Sequence, residues 1–182
     1  LIRRGGERIL VDCGEGTQRR LMQSIAGLTD LDVILITHGH ADHILGLPGL
    51  LRTFALRERT APLSIYGPEG IKKVLQDLDS VIGKMPFPLA VVELAGGAEI
   101  ACSEYRLEAI GTRHRVPSLG WALVEDERHG RFDVERARAA GVPDGPLNGQ
   151  LQRGETITLD DGTVITPEGL VGETRFGRTI VL

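Results

Sequence analysis

Short apolar runs rich in β-branched residues alternate with amphipathic stretches along the first half of the chain. A strand reads as a short apolar or alternating run, whereas a helix repeats its apolar positions every three to four residues. By these two periods, strands are predicted at 8–12, 32–37 and 63–66, and helices at 17–26, 48–57 and 68–82.

The second half of the chain is dominated by strand patterns. Further strands are predicted at 90–94, 98–102, 105–111 and 119–125. The segment 126–177 is rich in glycine, proline and charge, which indicates an excursion from the core with a short helix at 133–140 and an Asp-Gly hairpin at 160–163. We therefore expect a single mixed α/β domain over 1–182, in which layered sheets and helices bring the loops at the strand ends into one cleft.

Composition narrows the classes of function. The 182 residues are 41% hydrophobic and 25% charged, as in an ordinary globular protein. No apolar run approaches the ~20 residues that span a bilayer, and no secretory pattern opens the chain, so we expect a cytoplasmic protein without membrane contact. The net charge of -4 argues against binding nucleic acid through overall positive charge, although it leaves room for a local basic patch. Cys13 and Cys102 are too few for a disulfide framework, so we expect buried thiols.

The densest cluster of chemically capable side chains follows the strand predicted at 32–37. There the chain reads Thr-His-Gly-His-Ala-Asp-His, with three of its five histidines in this one segment. In an extended segment, residues two apart point to the same side, so His38 and His40 can bind one ion together. Asp42 and His43, one turn further on, can serve a second ion. Imidazole nitrogen and carboxylate oxygen are ligands that zinc accepts, so the pattern predicts a metal site.

A surface run of histidines, with Asp42 as the N-cap of the following helix, is the alternative interpretation. A cap needs only one side chain, so it accounts for one of the four residues. Metal binding accounts for all four and is the favoured interpretation.

The motif His-x-His-x-Asp-His after a hydrophobic strand resembles the signature of the metallo-β-lactamase fold superfamily. Within that superfamily, Val-Asp-Cys-Gly-Glu-Gly-Thr-Gln at 11–18 and Thr-Arg-His-Arg-Val-Pro-Ser-Leu-Gly at 112–120 resemble motifs of the tRNA 3′-processing endonucleases, the ribonuclease Z family. Order and spacing agree over nearly the whole chain. The resemblance implies an αβ/βα four-layer sandwich, here partial, with a protruding Gly-Pro-rich arm.

The resemblance also implies the roles of individual residues. It assigns His114 as the third ligand of the first metal, where a lone histidine at a strand end is the alternative. It places Asp12 beneath the metal loop, accepting the other N–H of a ligating histidine; an aspartate that forms a turn before Gly14 is the alternative. Asp42 would ligate the second metal and orient the attacking hydroxide as the catalytic residue, and His43 would be a second-metal ligand.

The activity implied is removal of 3′ trailers from precursor tRNA, through attack of a metal-activated hydroxide on the phosphodiester with two Zn²⁺ per active site.

In the family, a Gly-Pro-rich arm clamps the tRNA, and the segment 141–154 resembles it, with Gly145 and Pro146 at its centre. Arg128 and Arg131 would add phosphate contacts. A solvated face is the alternative, because acidic residues interleave with the arginines. The family is usually homodimeric, so we expect a homodimer.

We expect the chain to be truncated at both ends, since it starts at Leu1 and stops inside the strand pattern that ends at Leu182. In the family a bridging aspartate and a last metal-binding histidine follow this point, so the fragment alone should hold the second zinc weakly and lack full activity.

Two other functions stay open. One is a small-molecule phosphodiesterase, arylsulfatase or lactonase of the same fold, which needs no arm; the other is a catalytically inactive binding fragment.

Overall fold

The computed structural model describes residues 1–28 and 31–182. Their Cα positions group into two units: Leu1–Ala101, Leu107–Ala122 and Val181–Leu182 form the first, and Cys102–Arg106 and Leu123–Ile180 form the second. Within the described ranges, no helix is both long enough and apolar enough to cross a membrane.

The helices and strands follow most of the predicted pattern. In chain order they are β1 (Ile2–Arg4), β2 (Glu7–Val11), α1 (Thr17–Gln23), β3 (Val33–Leu35), α2 (Ala41–Ile44), α3 (Leu47–Leu56), β4 (Leu63–Gly67), α4 (Ile71–Ile82), β5 (Leu89–Glu93), β6 (Glu99–Ala101), β7 (Tyr105–Gly111), β8 (Leu119–Glu125), α5 (Val134–Ala139), α6 (Pro146–Gln152), β9 (Ile157–Thr158), β10 (Val164–Ile165) and β11 (Thr179–Val181). The sequence pattern did not indicate β1, α2 or α6.

A five-stranded sheet in the order β1-β2-β3-β4-β5 lies in the first unit. Strand β1 pairs antiparallel with β2, and β2 through β5 run parallel to their neighbours. The register sets Leu10 beside Ile34 and Ile34 beside Ile65. Because parallel strands end at the same edge of a sheet, the segments that follow β2 and β3 lie side by side there. Those two segments carry the motifs at 11–18 and 37–43.

Helix α3 packs on this sheet through one apolar face. Its buried residues recur with a spacing of three and four positions, which places them on one side of a helix: Leu47, Leu50, Leu51 and Phe54. They belong to the same buried cluster as Ile34 and Ile65. Burying a leucine side chain contributes about 1.5–3 kcal/mol, so this face anchors the helix that follows the motif at 37–43.

Helix α1 ends at Gln23 and not at the predicted Ala26. The Ser24 hydroxyl donates a hydrogen bond to the carbonyl of Leu21 at 2.9 Å and competes there with the helical pattern. Gly27 then takes a left-handed conformation, with φ of 65°, which is typical of a helix that has ended. The apolar pattern in the sequence therefore extends beyond Gln23, where the helix itself ends.

A second sheet has the strand order β11-β8-β7-β6. Within the first unit, Trp121 of β8 is fully buried, and its indole N–H donates to the carbonyl oxygen of Ile36 at 3.2 Å. That bond connects β8 to the segment that leaves β3. It matters for the site because the loop between β7 and β8 carries His114.

The second unit has a hydrophobic cluster of its own. Its buried residues come from α5, α6, the β9–β10 hairpin and the connecting loops: Ala137, Val142, Leu151, Ile157 and Leu170. Asp133 caps α5 by accepting the backbone N–H of Arg136 at 3.0 Å. The predicted hairpin is also confirmed, with Asp161 accepting the N–H of Thr163 at 2.8 Å across the Asp-Gly turn.

Glu125 is a buried carboxylate in the second unit. Arg178 donates to it from Nε at 3.0 Å, from Nη2 at 2.9 Å and from its backbone N–H at 3.2 Å. These hydrogen bonds hold the pKa of Glu125 at about 2. The carboxylate therefore stays ionised at any pH at which the protein would be handled, and this ion pair ties the start of the segment 126–177 to its end.

Candidate metal centre

Three imidazoles converge at the edge where the parallel strands end. His38 and His40 lie in the segment that leaves β3, with His40 still extended (φ −72°, ψ 152°) as the residue before α2. His114 comes from the loop between β7 and β8. One ligand nitrogen from each of the three lies within 4.8 Å of the other two, which is close enough for a shared metal ion.

Backbone pairing brings His114 to the other two histidines. The Leu119 N–H donates to the carbonyl of Thr37 at 2.8 Å, and Ser118 forms a bridge with His38. The hydroxyls of Thr112 and Ser118 lie 2.7 Å apart and close the loop that carries His114. The third histidine is therefore positioned by the attachment of β8 to the end of β3.

The separation of the ring nitrogens fits tetrahedral coordination. His114 Nε2 and His40 Nδ1 are 3.4 Å apart, and two ligands at ~2.05 Å from a tetrahedral zinc would be about 3.4 Å apart. A hydrogen bond between ring nitrogens would be shorter, at about 2.7–3.2 Å. The ring centroid of His38 lies 4.7 Å from that of His40 and 4.7 Å from that of His114, so the three rings form a compact triangle.

Asp42 and His43 form a second pair on the first turn of α2. His43 Nε2 and Asp42 Oδ2 are 3.4 Å apart, again the spacing of two ligands on one ion. The His43 ring centroid is 4.0 Å from that of His38, so the pair adjoins the histidine triangle. Asp42 is not the N-cap of α2, because His40 holds that position. The Asp42 side chain is 81% exposed and therefore contributes little to packing.

Asp12 lies beneath this loop and accepts three hydrogen bonds. Its donors are the backbone N–H of Thr37 at 2.8 Å, the Thr37 hydroxyl at 2.9 Å and His43 Nδ1 at 2.7 Å. Asp12 has a left-handed backbone, with φ of 55°, which is uncommon for a residue other than glycine and is frequent at functional sites. Thr37 is the residue that the sequence interpretation missed, although its position at the end of the strand next to Asp12 was a usable signal.

Two glycines allow the loop after β2 to contact the metal loop. A Cβ on Gly14 would collide with the carbonyl oxygen of Asp42, and one on Gly46 would collide with the carbonyl oxygen of Gly14. Cys13 joins the same contact, since its N–H donates to the carbonyl of His43 at 2.7 Å and its carbonyl accepts the Gly46 N–H at 2.8 Å. The motif at 11–18 therefore supports the backbone of α2.

The electrostatics at His38 favour its neutral form. The pKa of His38 is lowered, first by burial and then by the neighbouring rings of His43, His114 and His40. A neutral ring keeps the lone pair that a metal requires. The nearby thiol differs, because burial raises the pKa of Cys13 to about 12, so Cys13 stays protonated and is unsuited to bind metal.

A cavity of about 500 Å³ adjoins His114. Its walls include Pro68, Glu69 and the paired glycines Gly96 and Gly111, with Arg115 at the same loop. A volume of that size is typical of a small-ligand site. The three histidines therefore have a cavity beside them that is large enough for a small ligand group.

The residues predicted to contact RNA belong to the second unit. Gly145, with φ of 148°, precedes Pro146, which opens α6. Arg128 lies 3.4 Å from Glu125, and Arg138 forms ion pairs with Glu135 at 3.1 Å and Asp144 at 2.9 Å. Acidic side chains thus pair with Arg128 and with Arg138, and the role of Arg128 and Arg131 in binding phosphate stays a prediction.

Comparison with known proteins decides the family. A family model described as a beta-lactamase superfamily domain matches residues 7–134. The chain belongs to this superfamily. Two curated relatives of the chain are named ribonuclease Z. The protein of Myxococcus xanthus is 44% identical over 175 residues, which are 96% of this chain and 57% of that protein. The protein of Natronomonas pharaonis is 47% identical over 182 residues, 99% of this chain and 59% of that protein.

A solved structure agrees with these relatives. The crystal structure of human tRNase Z, short form, superimposes with a TM-score of 0.61 and 33% identity, covering 68% of this chain and 56% of that one. The expected metallo-β-lactamase fold and the resemblance to ribonuclease Z are thereby confirmed. The chain spans about 57–59% of the length of these two curated relatives.

Proposed function

We propose that the protein containing this chain is a zinc-dependent endoribonuclease that removes 3′ trailers from precursor tRNA. The observation that carries the proposal is the convergence of His38, His40 and His114 beside Asp42 and His43. Support for the substrate comes from relatives named ribonuclease Z at 44–47% identity over nearly the whole chain. The human tRNase Z structure adds a relative of the same kind.

The donor set fits zinc. His38, His40 and His114 would hold the first ion, and Asp42 with His43 would contribute to the second. All these donors are imidazole nitrogens or a carboxylate oxygen, the ligands of catalytic zinc sites. When bound, the two ions lower the pKa of water and neutralise the charge of a phosphodiester.

The chain's own residues would hold and orient the reacting groups. Asp42, exposed beside the histidines, would accept a hydrogen bond from the attacking water and direct its lone pair at phosphorus. Asp12 would keep the His43 ring in place from below through its 2.7 Å bond. The cavity beside His114 would admit the nucleotide next to the cleaved bond.

RNA would be bound by a local patch, because the net charge of -4 does not attract nucleic acid to the protein as a whole. We propose that the segment 141–154, around Gly145 and Pro146, clamps the tRNA, with Arg128 and Arg131 contacting phosphates without reading sequence. A homodimer in the cytoplasm remains the expected setting. The clamp, the dimer and the location are separate predictions.

The proposal is tested by comparing the rates at which the full protein, supplied with zinc, cleaves two substrates. We expect precursor tRNA with a 3′ trailer to be cut once, yielding tRNA with a 3′-hydroxyl and a trailer with a 5′-phosphate. We expect its kcat/KM to exceed that of a small aryl phosphodiester by about 10³-fold, since binding energy from the tRNA body lowers the barrier. Mature tRNA without a trailer is the matched control and should remain intact.

Two results would contradict the proposal. Efficient hydrolysis of the aryl ester with intact precursor would favour a small-molecule phosphodiesterase of the same fold. No hydrolysis of either substrate by protein with full zinc content would favour an inactive binding protein.

A further inference from the structure

The Thr37 hydroxyl lies between a carboxylate and two histidine rings. Its Oγ1 is 2.9 Å from Asp12 Oδ2 and 3.0 Å from His38 Nδ1. A third neighbour, His43 Nδ1, is 3.4 Å away, which is long for a hydrogen bond. His43 Nδ1 has a better partner in Asp12 Oδ2, at 2.7 Å.

The single hydroxyl proton has one reasonable destination. An ionised carboxylate can only accept, so the short contact between Thr37 and Asp12 requires that the hydroxyl donate to Asp12. Thr37 Oγ1 then offers only lone pairs to His38 Nδ1. That nitrogen must carry the proton if the 3.0 Å contact is a hydrogen bond, which leaves the lone pair of His38 on Nε2.

We propose that Thr37 is a positioning residue that relays the charge of Asp12 to His38 and fixes the Nδ1–H tautomer of that ring. This inference rests on the metal centre proposed above. Asp12 sets the tautomer of His43 directly and that of His38 through Thr37. One carboxylate thus prepares a ligand of each metal position, and the two positions are coupled through residues that touch neither ion.

The expected effect is one of metal affinity as well as turnover. Removing a group that orients a metal-ligating histidine lowers metal affinity by about 10–100-fold. The backbone N–H of Thr37 also donates to Asp12, and a side-chain substitution leaves that bond in place. The hydroxyl can therefore be removed without detaching the loop from Asp12.

The test uses Thr37→Val, which keeps the shape and removes the hydroxyl, and Thr37→Ser, which restores the hydroxyl. Thr53→Val in α3 is the matched control, since Thr53 is also half-buried and its hydroxyl, like that of Thr37, both donates and accepts: it donates to the Gly49 carbonyl at 2.9 Å and accepts from the Gln18 side chain. The tautomer of each ring is measured by ¹⁵N NMR of the zinc-free full protein at a pH where imidazole is neutral. Zinc affinity is measured by competition with a chelator.

We expect unmodified His38 to be protonated on Nδ1, and Thr37→Val to convert it to a tautomer mixture with about 10–100-fold weaker zinc binding. Thr37→Ser should restore both properties, and Thr53→Val should change neither. An Nε2–H tautomer of His38 in the unmodified protein would overturn the proposal even if Thr37→Val failed to fold. So would a folded Thr37→Val protein with unchanged tautomer and affinity. Because the NMR measurement needs neither zinc nor RNA, it separates this proposal from the proposed function.

Discussion

Replacing Asp42 by alanine is expected to lower kcat/KM on precursor tRNA by about 10³-fold while leaving the fold intact. The side chain is 81% exposed and stands at the first turn of α2, so its removal creates no cavity. The loss arises because the same carboxylate would ligate the second metal and orient the attacking water. Cleavage rate, thermal unfolding and zinc content of the variant and the unmodified protein check the prediction together.

Two further variants accompany Asp42→Ala, one that tests the charge of the side chain and one that serves as a control. Asp42→Asn keeps the size of the side chain but removes its charge, and should be nearly as inactive as the alanine variant. Asp77→Ala in α4 is the control, since Asp77 is a 65% exposed acid that pairs with Lys73 and lies outside the metal-binding motifs. A near-normal cleavage rate for Asp42→Ala would reject the assignment of this residue as catalytic.

Replacing His114 by alanine is expected to weaken zinc binding by more than about 100-fold, beyond the loss expected for a residue that only orients a ligand. His114 Nε2 lies 3.4 Å from His40 Nδ1, so its removal would leave the proposed first metal position without one of its three ligands. The exposed ring contributes little to the core, and the unfolding temperature should change little. Competition with a chelator measures the affinity of the full protein.

His129→Ala is the matched control for His114. His129 is also an exposed histidine, but it lies in the second unit and outside the converging triangle. Its replacement should leave zinc affinity unchanged. Equal affinity of the His114→Ala variant and the unmodified protein would show that this ring does not bind the metal.

Local pattern predicted the part of the site that is local in sequence. His38, His40, Asp42 and His43 lie on one extended segment and one turn, so their spacing alone placed them together. His114 is 74 positions from His40 and could be assigned only through the resemblance. What brings it close is the backbone pairing of Leu119 with Thr37, a long-range contact that periodicity does not reveal.

The fold was predicted well where amphipathic periods were long and poorly where elements were short. Helix α3 repeats its apolar face over ten residues, whereas α2 has only four residues and no room for a period. Helix α6 lies inside a segment whose glycine and proline content indicated irregular structure. Leu151 of α6 is nonetheless fully buried in the cluster of the second unit, so packing overrides local composition there.

The hydrogen bonds beneath the metal loop mark the limit of sequence reasoning. The motif at 11–18 indicated that Asp12 lies near the histidines, but not which atoms it contacts. The role of Thr37 depends on the direction of one hydroxyl, which follows only from three interatomic distances. These contacts can be identified only from the three-dimensional structure, in which the parallel strands β2 and β3 end next to each other.

We propose that His38, His40 and His114 share one metal ion. Anomalous diffraction at the zinc absorption edge, from crystals of the full protein grown with zinc, tests it most directly. We expect a peak at ~2.1 Å from His38 Nε2, His40 Nδ1 and His114 Nε2. Zinc bound elsewhere, or a His114 ring turned away from the other two, would contradict it.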